Sequence, residues 1–151
     1  MEKQLFVKNE IDINAPATTV WDVLTNPQQT KKYMYGCETV SDWTVGSSLL
    51  WKGEWEGKEM VFVKGNIVSI EPNKLLTYTT IDPNNKEMED TAANYLTVTY
   101  SLSGTDNGTH LVVTQGDYTK VADGEKRHND AVNQGGWSAL LEKIKTIAEQ
   151  Q

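Results

Sequence analysis

From Leu5 to Ile13 the side chains alternate, with Leu5, Val7, Asn9, Ile11 and Ile13 on one side and Phe6, Lys8, Glu10 and Asp12 on the other. A period of two with a mostly apolar face predicts a half-buried strand. Pro16 stops that ladder, and Thr18 or Thr19 is placed to cap a helix whose apolar face is Val20, Trp21 and Leu24. Asn26-Pro27 ends this helix, because the residue before a proline is pushed out of the α region. A second short helix is predicted over Gln28 to Met34, leading into Tyr33 and Tyr35.

After Trp43 the punctuation changes. Val45-Gly46, Glu56-Gly57, Glu71-Pro72-Asn73, Asp82-Pro83-Asn84-Asn85 and Asp106-Asn107-Gly108 are turn signals at hairpin spacing. They separate the runs Ser48 to Glu54, Met60 to Ile70, Leu75 to Ile81, Tyr95 to Leu102 and His110 to Gln115. Connections this short join antiparallel strands. Leu96, Val98, Tyr100 and Leu102 share one face of their strand, and Thr97, Thr99 and Ser101 share the other, so one side of the sheet is apolar and the other wet.

Near the end of the chain the period changes again. Trp137, Leu140, Leu141, Ile144, Ile147 and Ala148 recur at three- and four-residue intervals, the mark of a long amphipathic helix. Its apolar stripe has one large surface to bury against, the inner face of the sheet. The expected fold is therefore α+β: a curved antiparallel sheet of six to seven strands, two short N-terminal helices, and a long C-terminal helix packed across the sheet.

At 151 residues the chain is expected to form one domain over 1–151, long enough to bury roughly 70% of its unfolded surface. No apolar run approaches the ~18 residues of a membrane span. Met1 to Glu10 lack the apolar stretch and cleavage site of a secretory signal, and Cys37 is the sole cysteine, so an intracellular, cytoplasmic location is expected. The net charge of −7 repels phosphate backbones, which argues against a nucleic-acid partner. The acidic cluster Glu87-Met88-Glu89-Asp90 reads as a solvated loop, since it lacks the ligand spacing and central glycine of a calcium loop.

The stretch Ile13 to Leu24, followed by Asn26-Pro27, resembles the opening of the START-like proteins, also called the SRPBCC or helix-grip superfamily. Within it the chain is similar to the activator of heat-shock protein 90 ATPase homologue family. Three further segments carry that resemblance: Gly65-Asn66-Ile67-Val68-Ser69-Ile70-Glu71-Pro72 with Leu76 and Tyr78, Gly108-Thr109-His110-Leu111, and Arg127-His128 upstream of Gly136-Trp137. The resemblance implies the same element order, with a cavity between the last helix and the concave sheet that takes hydrophobic ligands in relatives. It does not by itself transfer a particular ligand. The chain also departs from the pattern. Gln115 stands where relatives often have histidine, Asp117-Tyr118 stand where a glycine-phenylalanine pair is common, and 151 residues are not expected to hold a counterpart of the eukaryotic activator's separate N-terminal domain.

Candidate chemistry is sparse. His110 and His128 have no cysteine or carboxylate at zinc-ligand spacing, so no metal or cofactor is expected. No Gly-x-Ser-x-Gly elbow is present, and Gly53, Gly57, Gly65 and Gly104 are isolated turn or bulge residues rather than a phosphate loop. Glu54 and Asp117 are the carboxylates that a dry pocket would raise to act as a general acid, with a solvated strand-edge charge as the plainer alternative.

Five tryptophans and six tyrosines supply apolar area together with polar handles. The alternation, together with the family resemblance at Leu76 and Tyr78, implies that Trp51, Tyr78, Val98, Tyr100, Val113 and Gln115 are on the inner face, with Trp137 and Leu141 opposite on the helix. These residues either fill the core or line a ligand cavity, and in the second case Gln115, Tyr78 and Tyr100 are the polar contacts. Trp21 belongs with the core. The leading expectation is a non-enzymatic protein that binds a small apolar or aromatic molecule, with no catalytic residues. A chaperone-interacting stress-response protein and a cyclase- or hydrolase-type enzyme are the alternatives. As an assembly, a monomer or a homodimer is expected.

Overall fold

A computed structural model describes residues 5–84, 89–91 and 94–150. Strand β1 (Val7–Ile13) is followed by helices α1 (Ala17–Thr25) and α2 (Pro27–Tyr33). Strands β2 (Glu38–Ser41), β3 (Ser48–Trp55), β4 (Lys58–Glu71), β5 (Leu75–Thr80), β6 (Leu96–Thr105) and β7 (Gly108–Gly116) come next. A 3-10 turn at Tyr118–Lys120 leads to α3 (Gly124–Asn133) and α4 (Ser138–Glu149).

The seven strands form one antiparallel sheet in the order β1-β7-β6-β5-β4-β3-β2. The α1-α2 pair carries the chain from one edge to the other, and β2 to β7 then zigzag back until β7 lies beside β1. This is the α+β order that the hydrophobic pattern predicts and the helix-grip arrangement that the resemblance implies. Irregular register opposite Trp51/Lys52 and between Ile67 and Ser69 leaves Phe62 and Val68 as extra residues, two bulges in β4, and bulges bend strands and deepen the curve of a sheet.

Side-chain alternation decides the layers. Leu96, Val98, Tyr100 and Leu102 are buried along β6, while the residues between them are half-buried on the opposite face. Leu76 and Tyr78 on β5, Leu111 and Val113 on β7, and Val7 and Ile13 on β1 complete the apolar layer. Helix α4 brings Leu141, Ile144 and Ala148 against it and packs on β1 and on both N-terminal helices. Val20, Val23 and Leu24 of α1 close one end, with Trp21 packed partly buried beside them.

Three local features differ from the sequence expectation. Neither Thr18 nor Thr19 caps α1: Pro16 is the N-cap, and its carbonyl accepts from Thr19 N at 3.0 Å and Val20 N at 3.1 Å. The fixed φ of proline already suits a helix start, so the threonines fall inside the first turn. Strand β2 has only four residues and one buried side chain, Thr39, so its pattern carries no alternation to read. Helix α3 is almost wholly polar, with Gly124 its one buried residue, and therefore lacks an apolar stripe.

The Asn26-Pro27 break does serve two helices. Asn26 ends α1 in an extended conformation, and its side chain accepts from Gln28 N at 2.9 Å to cap α2. Among the described part of the acidic cluster, Glu89 and Asp90 are exposed; Asp90 pairs with Lys64 and accepts from the Tyr95 hydroxyl at 2.6 Å. Glu87 and Met88 lie outside the described residues, as does Asn85 of the preceding turn signal.

Candidate functional site

The site is built on four aromatic side chains that span the sheet and meet the last helix. Trp51 of β3 lies 6.2 Å from Tyr78 of β5, ring centre to ring centre. Tyr78 meets Tyr100 of β6 edge-on at 5.6 Å, and Tyr100 meets Trp137 edge-on at 5.8 Å. Edge-to-face geometry sets the positive rim of one ring against the negative face of the next, adding to the area that each ring buries. Antiparallel register sets a second line across the sheet from Tyr78, which pairs with Val98, Val98 with Gln115, and Gln115 with Val7.

Beside this row lies a pocket of about 590 Å³ between α4 and the sheet. Its floor is Val7, Tyr78, Thr80, Val98 and Gln115. Trp51, Phe62 and Val63 of the β3-β4 hairpin form one wall, and Trp137, Leu140 and Ala131 form the opposite one. Met34, Tyr35 and Cys37, from the link between α2 and β2, complete the lining with Gly136, and Tyr35 is 84% exposed at the mouth. Among the described residues, this lining contains no Asp, Glu, His, Lys or Arg.

Of the inner-face residues expected from sequence, Trp51, Tyr78, Val98, Gln115 and Trp137 lie on the pocket wall. Tyr100, Val113 and Leu141 are packed in the core without reaching it. For the helix the miss is a rotation of one position, since Leu140 faces the pocket while Leu141 is buried. Periodicity identifies the apolar stripe but does not say which edge of a stripe borders empty space. Phe62, Val63, Met34 and Ala131 were not anticipated, because they lie on a hairpin, a helix end and a polar helix.

Polar groups near the pocket are paired in a definite way. The Tyr78 and Tyr100 hydroxyls are 2.7 Å apart, and Tyr33, deeper in the core, donates to the Val23 carbonyl at 2.9 Å. Burial pushes the Tyr33, Tyr78 and Tyr100 phenols above their ordinary value, so all three stay neutral at physiological pH. Burial likewise raises the Cys37 thiol. Trp137 Nε1 donates to Gln115 Oε1 at 2.8 Å.

The entry of α4 is fixed by Asn9, the one polar residue on the inner face of β1. Its Oδ1 accepts from Trp137 N at 2.9 Å. Gly136 has φ +58, and a Cβ there would lie 2.5 Å from Asn9 Oδ1 and 2.7 Å from Val7 Cγ1. The Gly-Gly-Trp sequence is thus a tight turn pressed against β1, which sets the indole over the sheet.

Asp117 does not act as a dry, raised carboxyl. Its Oδ1 accepts from the backbone amides of Leu5 and Thr119, both at 3.0 Å, and from the Thr119 hydroxyl at 2.7 Å. The Leu5 and Thr119 amides hold it below the usual carboxylate range. Glu54 is exposed near the tip of β3. Among the described residues no three His, Cys, Asp or Glu side chains gather into a metal-holding group, and no helix is long and apolar enough to cross a membrane.

Comparison with known proteins agrees with this architecture. A Cytophaga hutchinsonii protein with a solution structure is 35% identical, over 99% of this chain and 97% of that one, with a TM-score of 0.75. A Mesorhizobium loti crystal structure superposes with a TM-score of 0.73 at 23% identity, over 97% of this chain and 98% of that one. The solution structure of an Aha1 dimer from Colwellia psychrerythraea has a TM-score of 0.69 at 17% identity, with 96% of each chain covered. No protein of curated function matches the sequence. The family described as Activator of Hsp90 ATPase homolog 1-like protein matches residues 14–149, and the chain belongs to that family.

Proposed function

We propose that this protein is a START-like binding domain that holds a small apolar or aromatic molecule in the pocket under α4. One observation carries the reading: a space of about 590 Å³ walled by Trp51, Phe62, Tyr78, Val98, Trp137 and Leu140. Ligand sites fall in the range of roughly 300–1,000 Å³ and are mostly apolar with a few placed polar groups. Burial of apolar ligand surface drives such binding at about 25 cal/mol per Å². The described lining offers no carboxylate or imidazole for acid-base chemistry, which favours binding over turnover.

The test is a thermal-shift and mass-spectrometric screen of purified protein against apolar metabolites. Ala131→Trp, which adds bulk from the half-buried side of α3 without removing a core side chain, is expected to abolish binding of every hit. Hits that bind this variant as well as the wild type would place the ligand elsewhere and end the reading.

A second reading rests on the family match over residues 14–149: an activator-like protein that contacts a heat-shock protein 90 chaperone. Co-purification with the chaperone of the same organism, together with an ATPase assay, tests it. Complex formation with a faster ATPase supports it, and no complex at tens of micromolar protein removes it. The Aha1 relative from Colwellia psychrerythraea is a dimer, and β1 and β2, as the edge strands of the sheet, offer this chain a route of its own to a homodimer.

A further inference from the structure

The pocket floor holds one side-chain amide, Gln115, and Trp137 orients it. An indole N–H only donates, so the Gln115 amide must turn its oxygen toward Trp137 Nε1, which it meets at 2.8 Å. The two N–H bonds of Gln115 Nε2 are thereby turned away from the indole. Gln115 makes no other side-chain hydrogen bond with the described residues. Its side chain borders the pocket, between Val98 and Val7 on the neighbouring strands. Of the two hydroxyls in the floor, that of Tyr78 is already engaged with Tyr100 at 2.7 Å, and that of Thr80 is a rotor that no side chain among the described residues orients.

We propose that Gln115 is the specificity-determining residue of this pocket, and that it selects uncharged apolar molecules bearing a carbonyl-type acceptor. This rests on the pocket being a ligand site. A carbonyl oxygen would satisfy the free amide N–H, whereas a plain hydrocarbon of the same shape would leave that donor dry and unpaired. A carboxylate is excluded by a different term. Among the described residues the lining has no cation to offset its lost hydration, and the protein carries a net charge of −7. Trp137 is a positioning residue in this scheme, because it holds the amide in the donor-inward orientation.

Benzophenone, diphenylmethane and diphenylacetate form a matched set: a ketone, its hydrocarbon analogue and a charged analogue. Isothermal titration calorimetry gives the affinities, and the NMR shift of the Trp137 indole proton reports occupancy of this pocket. The ketone is expected to bind up to roughly tenfold tighter than the hydrocarbon, the factor one net hydrogen bond provides, with the carboxylate weakest. Gln115→Met, which has no donor, should bring the ketone-to-hydrocarbon ratio to within about twofold. Gln115→Glu keeps an acceptor for the indole, and once its carboxyl is ionised at raised pH the inward donor is gone and the preference should reverse.

Equal binding of ketone and hydrocarbon to the wild type, or a ratio unchanged in both variants, would overturn the proposal while leaving the pocket a binding site. If the bound hydrocarbon or ketone fails to move the Trp137 indole signal, or nothing in the set binds, the binding-site reading fails and this inference falls with it.

Discussion

The Tyr78 and Tyr100 hydroxyls face each other at 2.7 Å in a wall of apolar side chains, so each is the other's partner. Tyr100→Phe is expected to cost about 1–3 kcal/mol by stranding the Tyr78 hydroxyl. Replacing both tyrosines by phenylalanine should cost less than the two single changes summed, and urea unfolding of the four proteins measures that coupling. The same burial makes stability depend on pH on the alkaline side. Tyr33, Tyr78 and Tyr100 ionise near 10.0 when unfolded and higher when folded, chiefly through burial. Their contribution is therefore complete below pH ~10 and falls as pH rises toward the folded values, by about 1.4 kcal/mol per unit for each phenol. Ultraviolet titration should show the native protein forming phenolate later than the urea-unfolded chain. Coincident titration curves would contradict this account.

The elements explain which residues tolerate change. Gly65 faces the sheet interior in β4, and a Cβ there would lie 1.6 Å from the Thr79 carbonyl oxygen of the neighbouring strand. Backbone cannot rotate aside, so Gly65→Ala is expected to destabilise by about 3 kcal/mol or more, read from the denaturant midpoint. The sequence marks Gly65 as a turn or bulge position, and the reason, a close approach of two strands, is a property of pairing. Asn9 is a second case: alternation places it inside, but only the packing of α4 reveals that it holds the Trp137 amide at 2.9 Å. Asn9→Ala should loosen the start of α4 and cost about 1 kcal/mol, with faster exchange of the Trp137 amide proton as the specific readout. Helix α3 escaped a sequence reading because its polar surface leaves no period to detect, yet its Ala131 helps line the pocket.

For the whole molecule, the site exists only because distant segments converge. The pocket draws on β1, the α2-β2 link, β3, β4, β5, β6, β7, α3 and α4, so a ligand there ties the sheet to its helices. A ligand at a hundred times its dissociation constant should add about 2.7 kcal/mol and raise the melting temperature by roughly 5–10 °C. Absence of a shift for a molecule that calorimetry shows to bind would mean that it does not select the folded state. The sequence by itself determined the first strand, the two N-terminal helices, five further strand runs, the last helix and the apolar inner face, because periods of two and 3.6 residues are imposed locally by backbone geometry. The short β2, the polar α3 and the cap at Pro16 carried no such period. Only the tertiary structure decided that Tyr100, Val113 and Leu141 pack in the core while Leu140, Phe62 and Ala131 face the pocket. Periodicity tells which side of an element is apolar; whether that side meets another side chain or open space depends on how far apart the layers stand.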